Sequence, residues 1–170
     1  EHLVTEFSDF ARMPKPIFKK IDLIPLISRS LSLHEFSDQD IKFVFSNEKS
    51  KLVIKGDDEQ LNRVFINLIK NSIESINEKK SKNVGFKGKI NVDIKVDSDY
   101  IYLTIIDNGM GFDKVNKVKM TTPYFTTKKK GTGLGLSIVT KIISDHNSTI
   151  LFNSIKDGAK VEITLPRYYD

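Results

Sequence analysis

The sequence predicts an α+β domain, a sheet covered on one face by helices, with one long lid-like segment. Three observations predict it. Residues 57–79 place Leu61, Val64, Phe65, Leu68, Ile69, Ile73 and Ile76 on one arc at about 100° per residue, the pattern of a long amphipathic helix. Residues 90–96 and 101–106 alternate apolar and polar side chains around Asp97-Ser98-Asp99, as the two strands of a hairpin do. Residues 108–132 are rich in Gly, Lys and Thr and have no periodicity. A stretch of that length inside a compact domain is a functional lid or is disordered.

Leu3, Phe7, Phe10 and Ala11 fall at helical spacing until Pro14 and Pro16 stop the helix. Residues 1–16 therefore read as a helix end plus linker, and residues 17–170 as the domain. Leu23, Ile24, Ile27, Leu31 and Leu33 give a buried side to a second helix over residues 23–34. Residues 41–45 and 52–54 are apolar and β-branched enough for strands. Asp57 and Asp58 suit the start of the long helix, where acids complement the dipole. A polar loop over residues 80–88 contains Gly85 and Gly88. A last amphipathic helix over residues 133–145 precedes strands at 149–153 and 160–165, with Gly158 turning their hairpin and Pro166 ending it.

At 170 residues, 39% hydrophobic and 29% charged, the chain has the size and apolar content of one domain with a single core. No run approaches the roughly 18 apolar residues of a membrane span. Nothing resembles a signal peptide, so no membrane contact is expected of this stretch. Cysteine is absent, which excludes disulfides, thiol catalysis and cysteine-based metal sites and fits a reducing compartment. The net charge of +5 and pI of about 9.2 raise nucleic acid as a partner. The lysines, however, are spread along the chain, densest at 79–82 and 128–130, and the aromatics are mostly Phe in apolar patterns. A lysine-rich solvated surface is the expectation, not a base-stacking one.

Three segments carry chemistry. Asn67 and Asn71 lie one turn apart on one face of the long helix, where asparagine is a mediocre helix former. They are either two solvated amides or hard oxygen ligands for Mg²⁺ shared with nucleotide phosphates. Asp107-Asn108-Gly109-Met110-Gly111 follows an apolar strand directly. It is an ordinary turn sequence, or a carboxylate placed to accept a hydrogen bond from an exocyclic amine, with glycines letting backbone approach a flat base. Lys128, Lys129 and Lys130 precede Gly131-Thr132-Gly133-Leu134-Gly135-Leu136 at the opening of a helix, where free amides and the dipole favour phosphate. This is neither the dinucleotide fingerprint nor a P-loop.

Taken in order, Asn67–Asn71, Asp107–Gly111, Pro123-Tyr124-Phe125-Thr126-Thr127-Lys128 and Gly131–Leu136 resemble the N, G1, F and G2 boxes of the histidine-kinase ATPase family, part of the superfamily shared with gyrase, the Hsp90 chaperones and MutL. The resemblance covers about residues 20–166. Residues 7–16 are also similar to the end of the dimerisation helix and linker of NtrY-like nitrogen-regulation sensor kinases. The resemblance implies a Bergerat-type fold, a two-layer α/β sandwich with a mixed sheet, that holds ATP and Mg²⁺ under a mobile lid. Asn71 matches the metal-coordinating asparagine, Asn67 the polar residue one turn earlier, and Asp107 the aspartate that reads the adenine amino group. Gly109 and Gly111 would border the base; Gly131, Thr132, Gly133, Leu134 and Gly135 would surround the phosphates. Lys128 and Thr127 of the F box are implied nucleotide contacts, and Lys70 is adjacent, while Lys129 and Lys130 read as solvated. Asn67, Asn71 and Lys128 are the implied catalytic set.

Two positions depart from the family pattern. Glu74 stands where many members carry a phosphate-contacting Lys or Arg, and Asn147-Ser148 replaces a late glycine pair. Hydrolysing superfamily members have glutamate at position 67; asparagine cannot act as that base. Transfer to a separate acceptor is therefore implied over hydrolysis. A superfamily ATPase and a non-catalytic nucleotide sensor are the rival readings. None of His2, His34 and His146 has the sequence around it that the phosphorylated histidine has in the family, and His146 reads as a charged helix-end residue suited to the dipole. The acceptor is expected upstream of Glu1, on the dimerisation helix of a homodimer, with a response regulator as next recipient. The implied setting is the cytoplasmic part of a membrane-anchored sensor.

Overall fold

The structure, a computed structural model, describes residues 11–113 and 135–169. Its elements run β1 (Lys19–Asp22), α1 (Leu23–Ser37), β2 (Ile41–Asn47), β3 (Val53–Gly56), α2 (Asp58–Lys82), β4 (Gly88–Val96), β5 (Tyr100–Asp107), α3 (Gly135–Asp145), β6 (Thr149–Ile155) and β7 (Gly158–Pro166). Five strands form one mixed sheet in the order β2-β4-β5-β7-β6. The β2–β4 pair is parallel and the others antiparallel. Alternation along β4, β5 and β7 sends Ile90, Val92, Leu103, Ile105, Val161 and Ile163 into the core. Lys89, Lys95 and Tyr102 stay exposed, so the three helices cover one face. All seven apolar residues predicted for the long helix are buried.

The sequence pattern missed one strand. Residues 19–22 show no alternation, yet β1 pairs antiparallel with β3 in a separate two-stranded sheet, Ile21 opposite Ile54. Asp22 explains the placement: its Oδ1 accepts from Ile24 N–H at 3.1 Å, capping α1, and from Leu52 N–H at 3.0 Å. The second helix is longer than expected, and Leu33 is 61% exposed, not buried. The interior place goes to Ser30, whose hydroxyl contacts the Leu26 carbonyl and the Asn62 amide oxygen, both at 3.1 Å.

α3 ends where the sequence has Asn147-Ser148. Asn147 takes φ 53°, and Ser148 N–H reaches the Ile143 carbonyl at 3.1 Å while Asn147 N–H reaches Ser144 at 3.0 Å. This is a Schellman end with asparagine in the left-handed position, so the replacement alters only how the turn is made.

Candidate nucleotide site

Asp107 ends β5 in the centre of the sheet and is 5% exposed. Its Oδ1 accepts from the Gly109 N–H at 2.9 Å and its Oδ2 from the Ser72 hydroxyl at 2.9 Å. Burial pushes its carboxyl above the usual range, opposed by the Gly109 N–H, the Ser72 hydroxyl, the Ala159 N–H and the Lys79 charge. The turn after it packs tightly on α2. A Cβ at Gly109 would stand 2.8 Å from the Ser75 backbone carbonyl carbon and 2.9 Å from the Ile76 nitrogen. Gly109 is thus required by the helix beside it, in addition to any role beside a base. On the other side Gly158, with φ 143°, lets β7 run against Asp107; a Cβ there would lie 1.9 Å from the Asp107 carbonyl oxygen. Gly111 faces the Gly158 carbonyl.

Around that turn are ties that no motif announced. Met110 N–H donates to the Ser75 hydroxyl at 2.8 Å, and Lys79 Nζ donates to the Asn108 and Gly109 carbonyls at 2.9 and 3.3 Å. The Asn108 side chain pairs with the start of β4, accepting from Lys89 N–H at 2.8 Å and donating to the Lys87 carbonyl at 3.0 Å. Lys79 therefore departs from the solvated lysine run expected at 79–82. Ser72, Ser75 and Lys79 share the i, i+3, i+7 spacing, the one sequence signal by which they were detectable.

One turn back along α2, Asn67 and Asn71 are both half-buried rather than solvated. Asn67 Nδ2 donates to the Arg63 carbonyl at 2.9 Å, which fixes the amide. Its Oδ1 faces the first residue of α3, 3.3 Å from where a Cβ on Gly135 would be. The N-box helix and the G2 helix thus meet at an amide oxygen and a helix N-terminus. Among the described residues no group of three or more His, Asp or Glu side chains could hold a metal. A divalent ion here would rest on amide oxygens plus phosphates, a donor set that suits Mg²⁺. Lys70 is exposed. Thr127, Lys128, Gly131, Thr132, Gly133 and Leu134, like most of the expected lid and residues 1–10 with His2, lie outside the described residues.

The N-terminal end of α2 holds residues 14–17. Asp57 caps the helix, its carboxylate accepting from Gln60 N–H at 3.1 Å and from Ile17 N–H at 2.8 Å. Gln60 Nε2 donates to the Pro14 carbonyl at 2.9 Å, while its buried Oε1 has no partner among the described residues. His146 corrects the expectation of a charged helix end. It is 4% exposed, its Nε2 accepts from Asp57 N–H at 3.0 Å, and its Nδ1 contacts the Ile142 carbonyl at 2.8 Å. A ring nitrogen that accepts a backbone N–H carries no proton, so the ring is the neutral Nδ1–H tautomer and ties α3 to the start of α2. His34 lies half-buried near the end of α1.

A buried aspartate at a sheet-end turn and two half-buried asparagines on the helix beside it, one facing the start of α3, are the arrangement of an ATP-binding catalytic domain of the Bergerat kind. The chain belongs to the histidine kinase-, DNA gyrase B- and HSP90-like ATPase family, whose model matches residues 56–169. It is 35% identical over 164 residues to a Rickettsia felis protein described as a sensor histidine kinase NtrY-like, covering 96% of this chain and 26% of that one. Among solved structures it resembles the nucleotide-free catalytic domain of histidine kinase ThkA, with TM-score 0.77, 29% identity and coverage of 89% of this chain and 96% of that one. It also resembles ThkA in complex with the response regulator TrrA, with TM-score 0.80, 25% identity and coverage of 98% and 47%. The chain spans about a quarter of the length of the NtrY-like relative. No helix among the described residues is long and apolar enough to cross a membrane.

Proposed function

We propose that this domain binds Mg·ATP and serves a sensor histidine kinase as its phosphoryl donor site. Asp107 accepts a hydrogen bond from the adenine amino group. Asn71, with Asn67 one turn earlier, holds Mg²⁺ through amide oxygen. Gly131, Thr132, Gly133, Leu134 and Gly135 supply backbone amides to the phosphates, with Lys128 and Thr127 as further nucleotide contacts. The single observation that carries this reading is the buried Asp107 carboxylate, held by Ser72 and Gly109 at the edge of the α2 face that also bears the two asparagines.

Bound Mg²⁺ would neutralise phosphate charge; the chain's own groups orient the nucleotide and keep its γ-phosphoryl in line for an external acceptor. Asn67 has no basic group to activate water, so its amide favours transfer over hydrolysis. In the full-length protein, which on this reading is a homodimer with a cytoplasmic kinase core below a membrane anchor, the acceptor is a histidine on the preceding dimerisation helix. The bond from the γ-phosphorus to the bridging oxygen of ADP breaks as a phosphorus–nitrogen bond forms on the imidazole. A response-regulator aspartate receives the phosphoryl next.

Calorimetry on this chain is expected to show ATP binding that Asp107→Ala weakens by roughly a hundredfold, the loss of hydrogen bonding to a buried charge. Unchanged affinity would refute the assigned role. With labelled ATP, a longer protein containing the dimerisation helix is expected to accumulate acid-labile phosphohistidine, and this chain to take no label. Steady turnover by this chain alone, abolished by Asn67→Ala, would favour an ATPase instead.

A further inference from the structure

We propose that Lys79, with Ser75 and Ser72, is a positioning rail that orients the base-reading carboxylate and gives the domain its selectivity for an exocyclic amine over a carbonyl. The inference rests on the reading of Asp107 as the adenine-recognition residue. Lys79 never needs to touch the nucleotide. Its ammonium binds the carbonyls of Asn108 and Gly109, the first two residues after Asp107. Peptides are planar and trans, so each carbonyl points opposite to the N–H of the same unit. The N–H opposite the Asn108 carbonyl belongs to Gly109 and donates to Asp107 Oδ1. The N–H opposite the Gly109 carbonyl belongs to Met110 and donates to Ser75. A cation on the carbonyl side therefore polarises both donors and aims them at Asp107 and Ser75.

The remaining contacts remove the turn's freedom to rotate. Ser72 takes the second carboxylate oxygen, and the Asn108 side chain is fastened to Lys87 and Lys89. Lys79 is itself held, its Nζ lying 4.8 Å from the centre of the Phe86 ring. The Gly109 N–H, the Ser72 hydroxyl and the Ala159 N–H take three of the roughly four acceptor sites of the carboxylate, leaving one oxygen lone pair open in a plane that the protein has fixed. An amine on the base supplies the donor that such an oxygen needs; a carbonyl there would bring acceptor against acceptor. The Lys79 charge and the two donors also favour the ionised form of Asp107 against burial.

The experiment compares ATP with inosine triphosphate, in which a carbonyl replaces the amine, by calorimetry on this chain and its variants, with thermal unfolding followed in parallel. Lys79→Met is expected to weaken ATP about tenfold while leaving inosine triphosphate unchanged, so that the ratio of the two affinities falls. Lys79→Arg, which can still donate to two carbonyls, is expected to restore most of that ratio. Ser72→Ala, a smaller change made away from Lys79, is expected to lower it in the same direction. A folded Lys79→Met with the ratio intact would overturn the proposal, as would an unchanged ratio in Ser72→Ala should the lysine variant not fold. Loss of stability with both nucleotides weakened equally would mark Lys79 as structural only. If Asp107→Ala itself leaves the ratio unchanged, the base-recognition reading fails, and that outcome is distinct from failure of the rail alone.

Discussion

At the C-terminal half of α2, Asp107 is buried under a turn fastened by Ser72, Ser75, Lys79 and Asn108. At the N-terminus of the same helix, Asp57 is partly exposed and holds Ile17, just ahead of β1, beside a Gln60 whose Oε1 has no partner among the described residues. The two carboxyls shift in opposite directions. Burial dominates at Asp107 and raises it. Burial also acts upward on Asp57, but the Ile17, Gln60 and Glu59 N–H groups together outweigh it and lower it. On the proposed function, α2 presents a buried, fastened carboxylate to the nucleotide and a partly exposed one to residues 14–17. A base-reading group must keep one orientation, whereas a linker attachment carries no such demand.

The sharpest way to break this contrast is at Gly109. Gly109→Ala drives a methyl to within 2.8 Å of α2 backbone. It is expected to cost about 3 kcal/mol of stability and to abolish ATP binding, read by denaturant unfolding and calorimetry. His146→Phe keeps the ring but leaves the buried Asp57 N–H without an acceptor. About 2 kcal/mol of stability should be lost, with ATP affinity in the folded fraction little changed. Asp57→Ala removes the cap of α2, about 1 kcal/mol, and should raise hydrogen exchange at Ile17. Gln60→Leu sacrifices one hydrogen bond to Pro14 and also deletes the orphaned oxygen, so a change within about 1 kcal/mol is expected, without effect on nucleotide.

Acidification tests the same contrast without mutation. An amine donor needs the ionised form of Asp107, whose carboxyl is raised, so ATP affinity should fall as pH drops through a range above that of an ordinary aspartate. In the absence of ligand the sign reverses: the stability associated with protonated Asp107 is fully present below its unfolded value and is lost as pH rises through the raised one. The Asp57 contribution, with its lowered carboxyl, is present above the unfolded value and disappears only as pH falls through the lower folded one. Nucleotide binding should therefore fail on acidification before the linker contact does. Titrating ATP affinity and Ile17 amide exchange on the same samples would reveal the reverse order if the contrast is wrong.

Much of this was legible in the chain. The seven apolar residues of α2 announced its buried arc because a long helix repeats its pattern many times. The β4–β5 and β6–β7 hairpins showed through alternation and short turns. Asp107, Asn67 and Asn71 could be singled out because their segments, each ordinary alone, stand in the order of the family's boxes. β1 was not legible, since four residues without alternation become a strand only by pairing with β3. Leu33 was misplaced because its apolar character was weighed without knowing that Ser30 would find a partner across α1 and α2. His146 was read as charged because nothing local shows that a residue at position 57 donates to it.

By itself the sequence determined the fold class and the chain order of the recognition motifs, because periodicity and turn chemistry act within a few residues. The tertiary structure alone decided which side chains hold those motifs in place. Ser72, Ser75 and Lys79 are ordinary helix-surface residues until β5 brings Asp107 and its turn against them, about 30 residues away in sequence. Hydrogen bonds between distant segments depend on the relative placement of whole elements, and that placement is set by burying the common core.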